Sequence, residues 1–361
     1  MRNDFKVLDG LRGCTAIYVL IHHSRLILTQ PYKNGLLSHP EKYEWYDKIM
    51  VYFFSIFKYG HEAVIIFFVL SGFVIHLKQA DKKFDFTNFS VKRYFKKRFF
   101  RIYPTLITVM LLSLFLDFVT YIFHVNTESV FSKYTYRALF NNLFLLPNTV
   151  DWGNNSPMWS LKHEWIFYLT YPILLWLNTK NKFISMILLI GLFLSFVLGF
   201  RIPFILNIAY TLLVWFIGVL LADFYKKSRL FFNTCVPHLL FLITIYPFID
   251  RYDNNNYPIL DLTFGLIIAG FLSILIQNRF KSINYIIEKV SFLGLFSYSI
   301  YLLHYPFLNL IQQIIFKRQG INILPYNYWY VALSILITIP TIYLIYLFTE
   351  RLAINYKKKI F

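Results

Sequence analysis

The stretch Leu11-Arg12-Gly13-Cys14-Thr15-Ala16-Ile17-Tyr18-Val19-Leu20-Ile21-His22-His23-Ser24-Arg25-Leu26-Ile27-Leu28 decides the fold class. It is apolar enough, and long enough as a helix, to cross about 30 Å of hydrocarbon. Yet it carries Arg12 and His23, with ten residues between them. Eleven steps of about 100° come to roughly 20° past three full turns, so both side chains share one helix face. At about 1.5 Å per residue they lie about 16 Å apart along the axis. His22 is turned about 100° away, which gives it a structural place. A guanidinium at the membrane surface and an imidazole near mid-depth on one stripe read as two ends of a path. Ionisable groups at membrane depth are costly, so the default reading is functional.

The rest of the chain repeats this character. Of 361 residues, 57% are hydrophobic and 21% aromatic, more apolar surface than a soluble domain can hide. The apolar residues fall in blocks near the spanning length. Ten candidate spans result: 14–30, 60–77, 104–124, 163–178, 184–200, 203–222, 235–249, 258–277, 291–315 and 328–349. The fourth and seventh are short or interrupted. The predicted fold is an all-α polytopic membrane helix bundle of about ten transmembrane helices, a single domain over residues 1–361.

The net charge of +18 does not point to nucleic acid, because the cations are distributed by topology. With the amino terminus inside, two thirds of the 36 Lys and Arg residues fall on the inner side, nine of them between residues 78 and 101. The positive-inside rule then puts both termini in the cytoplasm. Such a cluster also attracts anionic lipid head groups or a phosphorylated ligand.

Cys14 and Cys235, the two cysteines, match no metal or disulfide spacing and are expected as small apolar core residues. Arg2 and Lys6 before an apolar run imitate a signal peptide. No small-residue cleavage site follows, so the run is read as a retained span. Between the first two spans, Tyr43-Glu44-Trp45-Tyr46 and the apolar run at 49–57 predict an interfacial amphipathic helix. Asp151-Trp152-Gly153-Asn154-Asn155-Ser156-Pro157 predicts a turn leading into a helix.

Four further segments place polar groups in apolar surroundings. Ser71-Gly72 gives a small-residue surface for close helix approach or for backbone access to a ligand. Arg98 and Arg101, three apart before a span, form a fork suited to phosphate oxygens or to lipid anchoring. Glu164, Tyr168 and Tyr171 fall on one stripe at the outer mouth of the fourth span. Ser297, Tyr301 and His304 do the same later, with His304 near mid-membrane. The histidines are scattered, so no metal site is expected. Neither a Gly-rich phosphate loop nor a Ser nucleophile elbow occurs.

Taken in order, these segments resemble the acyltransferase-3 family of integral membrane acyltransferases. The matching pieces are Arg12 with His23, Phe67-Phe68-Val69-Leu70-Ser71-Gly72-Phe73, Arg98-Phe99-Phe100-Arg101-Ile102-Tyr103-Pro104, Trp159-Ser160-Leu161 with Glu164-Trp165-Ile166-Phe167-Tyr168, and Ser297-Tyr298-Ser299-Ile300-Tyr301-Leu302-Leu303-His304. They cover about residues 5 to 350. The family's last span usually ends in Glu followed closely by Pro; here Glu350 precedes Arg351 and Leu352. His163, and His61-Glu62, also depart from the family pattern.

The resemblance implies an enzyme of the bacterial inner membrane that moves an acyl group, commonly acetyl, from cytoplasmic acyl-CoA to a hydroxyl of a carbohydrate or lipid-linked glycan. Some family members carry an added esterase-like domain of the SGNH type; the short stretch after the last span leaves no room for one. Arg12, Arg98 and Arg101 are expected to hold the CoA phosphates. His23 is expected to take the acceptor's proton or to carry the acyl group covalently. Glu164 either orients the acceptor or polarises the imidazole. Tyr301 and His304 either line the path or stabilise the developing oxyanion. The alternative of a different class is a transporter or flippase for an anionic or lipid-linked substrate.

Overall fold

Helices account for the regular structure in the computed structural model, which describes residues 5–80, 86–123, 130–147, 149–180, 183–198, 206–249, 257–320 and 323–360. In chain order these are α1 (Lys6–Leu28), α2 (Trp45–Ser55), α3 (Gly60–His76), α4 (Val91–Ile122), α5 (Tyr136–Leu143), α6 (Met158–Lys180) and α7 (Ile184–Val197). Then follow α8 (Leu206–Lys227), α9 (Arg229–Thr234), α10 (Tyr257–Ile276), α11 (Lys281–Lys289), α12 (Ser297–Gln319), α13 (Trp329–Phe348) and α14 (Glu350–Ile360). No strand occurs among the described residues. Six helical stretches there are long and apolar enough to cross a membrane: Trp45–His76, Val91–Ile122, Ile208–Lys227, Arg229–Phe248, Tyr257–Ile276 and Trp329–Tyr356. Helices α1, α6 and α12 are as long but carry internal polar and charged residues. The charges at Arg2, Lys82, Lys83, Lys182, Arg201 and Arg251, and the span ends at 199–205, lie outside the described residues.

The seventh predicted span is helical but tightly wound. Residues Val236–Thr244 form a 3-10 helix with Pro237 in its first turn. Proline lacks the N–H that an α-helical ladder needs, and Pro247 does the same in the turn at Tyr246–Phe248.

The described chain packs as two compact units, each built from three stretches. The first comprises Met1–Arg12, His61–Phe95 and Ser160–Phe292; the second comprises Gly13–Gly60, Lys96–Trp159 and Leu293–Phe361. In the first unit α8 packs on α7 and α10, and Val236–Thr244 lies along α10. Its core holds the fully buried Trp215, with the rings of Phe167 and Tyr171 5.7 and 5.8 Å away. Close approach of α3 and α8 depends on glycine. A Cβ on Gly72 would stand 2.1 Å from the Trp215 carbonyl oxygen, and one on Gly218 2.0 Å from that of Val69. Ser71-Gly72 thus serves helix approach through its glycine.

In the second unit α13 packs on α12 and leads into α14. Ile27, Leu28, Leu308 and Ile315 form a buried apolar cluster between α1 and α12. Helix α2 buries Asp47, Val51 and Phe54 and exposes Trp45, Ile49, Tyr52 and Phe53. That exposed stripe at helical spacing suits a lipid-contacting surface. Cys14 and Cys235 are both exposed, not core as the sequence reading had them. In a membrane helix the lipid-facing side is as apolar as the packed side, so a small apolar residue does not report which side it occupies.

Candidate functional site

His23 and His304, 281 residues apart in sequence, meet in the second unit: His23 Nδ1 is 2.8 Å from His304 Nε2. Their ring planes lie within 18° and their centroids 5.1 Å apart, the geometry of an edge-to-edge N–H···N bond, not of face stacking. His304 is fully buried, and its Nδ1 donates to the Ile300 carbonyl at 2.8 Å. His23 is half-buried, with Tyr305 edge-on at 5.4 Å. Continuous helix α1 carries His23 and, eleven positions earlier, Arg12. His22 turns aside and donates from Nδ1 to the Phe57 carbonyl at 2.9 Å, where Arg25 Nη1 also donates at 3.1 Å.

Helix α12 is kept in register here by the loop before α6. Pro306 cannot supply the N–H that the Leu302 carbonyl would accept in a regular helix. The buried Asn155 replaces it, donating from Nδ2 to that carbonyl at 3.1 Å. Tyr301 donates its hydroxyl to the Pro157 carbonyl at 3.4 Å. The loop is itself pinned: Trp152 Nε1 donates to the Met110 carbonyl at 2.9 Å, and Asp117 accepts from the Tyr134 hydroxyl and from Lys133 Nζ at 2.7 Å. Burial, then Asp117, pushes the Tyr134 phenol above its ordinary range, so it stays a donor. Gly153 turns the chain with φ of 62°, and a Cβ there would crowd the Tyr134 hydroxyl at 2.8 Å.

Five residues before His304 on the same helix, Ser299 donates to Glu350 Oε2 at 2.6 Å, and Arg101 Nη1 donates to Glu350 Oε1 at 2.7 Å. Glu350 is 1% exposed, and the Arg101 guanidinium lies 5.1 Å from the Tyr298 ring centroid. One N–H of a predicted phosphate-holding arginine is therefore committed to a buried carboxylate. Arg98 lies one turn earlier on α4.

Glu164 belongs to the first unit. Its Oε1 accepts two hydroxyls, Ser71 from α3 at 3.0 Å and Tyr168 from its own helix at 2.5 Å. Tyr171, on the same stripe, instead meets His76 Nδ1 at 2.8 Å, and His76 Nε2 lies 3.2 Å from Asp223. Arg12 Nη1 lies 3.5 Å from Asp9 Oδ1 one turn away on α1.

Glu350 and Ser299 were not among the residues picked out as a site from the sequence. A lone carboxylate closing the last apolar helix was the signal for Glu350. Nothing local marks Ser299 as its partner. Among the described residues no group of three or more His, Cys, Asp or Glu is placed to hold a metal ion.

A helical architecture among the described residues, with membrane-length helices and an imidazole pair, defines the class, and comparison with known proteins gives the family. The acyltransferase-3 family model, an acyltransferase domain, matches residues 5–349. The chain belongs to this family and is an integral membrane protein. It is 33% identical over 123 residues to acyltransferase MdmB of Streptomyces mycarofaciens, covering 34% of this chain and 30% of that relative. It is 27% identical over 268 residues to a putative acetyltransferase, ORF330, of Acidianus two-tailed virus, covering 69% of this chain and 74% of that one. An uncharacterized protein of Haemophilus influenzae is 31% identical over 145 residues, 37% of this chain and 57% of the relative. No solved structure matches the chain.

Proposed function

We propose that this protein is a membrane acyltransferase that moves an acyl group, acetyl by preference, from cytoplasmic acyl-CoA to a hydroxyl of a carbohydrate. The acceptor is a cell-surface polysaccharide or its lipid-linked precursor. The protein resides in a bacterial inner membrane with about ten spans and both termini inside. The family match across residues 5–349 carries the reaction class. The names of two relatives, an acyltransferase and a putative acetyltransferase, agree with it.

His23 is the base. A neutral imidazole keeps a lone pair on one ring nitrogen, which can take a proton from a positioned hydroxyl. It takes the hydroxyl hydrogen while the acceptor oxygen bonds to the thioester carbonyl carbon. The C–S bond then breaks, its electron pair leaves on sulfur, and the proton passes from the imidazole to the CoA thiolate. Arg98, Arg101 and Arg12 contribute charge for the donor's phosphates. The pairing of Arg101 with Glu350 holds that guanidinium on α4 in one orientation. Glu164 has one oxygen engaged by Ser71 and Tyr168 and serves to orient the acceptor. Tyr301 stays with the loop before α6 and lines the site.

The test is turnover of labelled acetyl-CoA by purified protein in nanodiscs with envelope glycan as acceptor, read as CoA release and as an acetyl mass increment on the glycan. Both are expected, and both are expected to vanish with His23→Ala. Translocation of a lipid-linked glycan with no CoA release would replace this reading by a transporter.

A further inference from the structure

The hydrogen bonds around His304 fix where the protons of the imidazole pair sit. A carbonyl oxygen only accepts, so His304 Nδ1, 2.8 Å from the Ile300 oxygen, carries a hydrogen. The neutral ring then has its lone pair on Nε2, the atom 2.8 Å from His23 Nδ1. His23 Nδ1 must be the donor of that bond. Neutral His23 is left with its lone pair on Nε2, for which no hydrogen-bond partner occurs among the described residues. Adding a proton to either ring places a cation where His304 is fully enclosed and where, among the described residues, no carboxylate bonds either ring. The neutral pair is the low-energy arrangement. These proton positions are assigned from the bonding pattern.

We propose that His304 is a positioning residue that selects the Nδ1–H tautomer of His23 and so makes His23 Nε2 the nitrogen that takes the acceptor's hydroxyl proton. This rests on His23 being the base. His304 has two tasks in the step. It holds the His23 ring edge-on, so that Nε2 does not rotate away. It also accepts a hydrogen bond that strengthens as positive charge develops on His23. The surrounding structure holds His304 rigidly to both. Its own ring is tied to the Ile300 carbonyl, and the turn that bears it is tied to Asn155 through the Leu302 carbonyl that Pro306 leaves open. An imidazole fits this place because a single ring must donate on one side and accept on the other.

Steady-state kinetics on three variants and nitrogen NMR on the unmodified chain test this. His304→Leu keeps bulk and removes the acceptor; kcat is expected to fall about 100-fold, within the range a positioned acid–base group contributes. The KM values for acetyl-CoA and glycan are expected to stay within about twofold, since no substrate contact is lost. His304→Gln restores an acceptor oxygen and is expected to recover about tenfold of the loss. His23→Ala is expected to be inactive. In full-length protein labelled with 15N-histidine, the His23 signal, identified by its loss in His23→Ala, is expected to show a protonated Nδ1 and a bare Nε2. Wild-type kcat in His304→Leu beside an inactive His23→Ala overturns the positioning role alone. So does an equal kcat loss in Leu and Gln variants, or a rise in KM without loss of kcat. An active His23→Ala overturns the base assignment beneath it. A His23 signal of the opposite tautomer overturns the inference whatever the variants do, including where they fail to fold.

Discussion

Two arrangements of histidines, one in each unit, use the imidazole ring in opposite ways. In the first, His61 Nε2 faces both oxygens of Asp261 at 2.8 and 3.0 Å, and His76 lies between Asp223 and Tyr171. In the second, His23 and His304 bond to one another, while the buried carboxylate Glu350 goes to Arg101 and Ser299. His76 has both ring nitrogens engaged, one by Tyr171 and one by Asp223, and serves as a strut. In the second unit both nitrogens of His304 are engaged, by Ile300 and by His23, while His23 keeps Nε2 for chemistry. The engagement of both ring nitrogens, more than burial, separates the two uses.

This contrast can be broken by experiment. The largest effect belongs to His23→Ala, expected to cost at least roughly 10³-fold in acetyl-CoA turnover with normal protein levels; retained turnover would erase the distinction between the units. Next is the carboxylate clamp. Arg101→Met leaves the buried Glu350 carboxylate without its cation and is expected to cost about 3–5 kcal/mol. Glu350→Met leaves a partly exposed guanidinium and is expected to cost less, and the double variant is expected to cost less than Arg101→Met alone, a non-additivity read from thermal unfolding in detergent.

Asp223→Asn should weaken the strut on His76. Loss of about 1–3 kcal/mol of stability with unchanged kcat is the expected outcome, and a kcat effect as large as that of His304→Leu would mean that both units do chemistry. Gly72→Ala drives a methyl against the Trp215 carbonyl and is expected to cost about 1–3 kcal/mol. The smallest effect is Ser71→Ala, which removes one of two hydroxyls from Glu164. It is expected to cost about 1 kcal/mol and to raise the glycan KM while leaving that of acetyl-CoA alone.

Much of this was legible in the amino-acid sequence. Among the described residues the apolar blocks are helical, and α1 runs unbroken through both Arg12 and His23. The turn from Asp151 to Pro157 does lead into α6, because Gly and Pro punctuate locally. The stripe Glu164 and Tyr168 was readable because residues four apart on a helix are neighbours. Its continuation to Tyr171 was not, since that hydroxyl is taken by His76 from another helix. The exposed cysteines were misread for a different reason: hydropathy patterning in a membrane chain carries little contrast between core and lipid.

The sequence by itself determined that the chain is a helical membrane protein, which face of α1 carries its charge, and which few polar residues stand in apolar surroundings. These follow from helix period and from the cost of placing polar groups in hydrocarbon, both properties of neighbouring residues. Only the tertiary structure decided that His23 meets His304, 281 positions away, and that Arg101 meets Glu350, 249 positions away. A hydrogen bond needs its two atoms within about 3 Å and in line, and no local pattern encodes a meeting between helices so far apart in the chain.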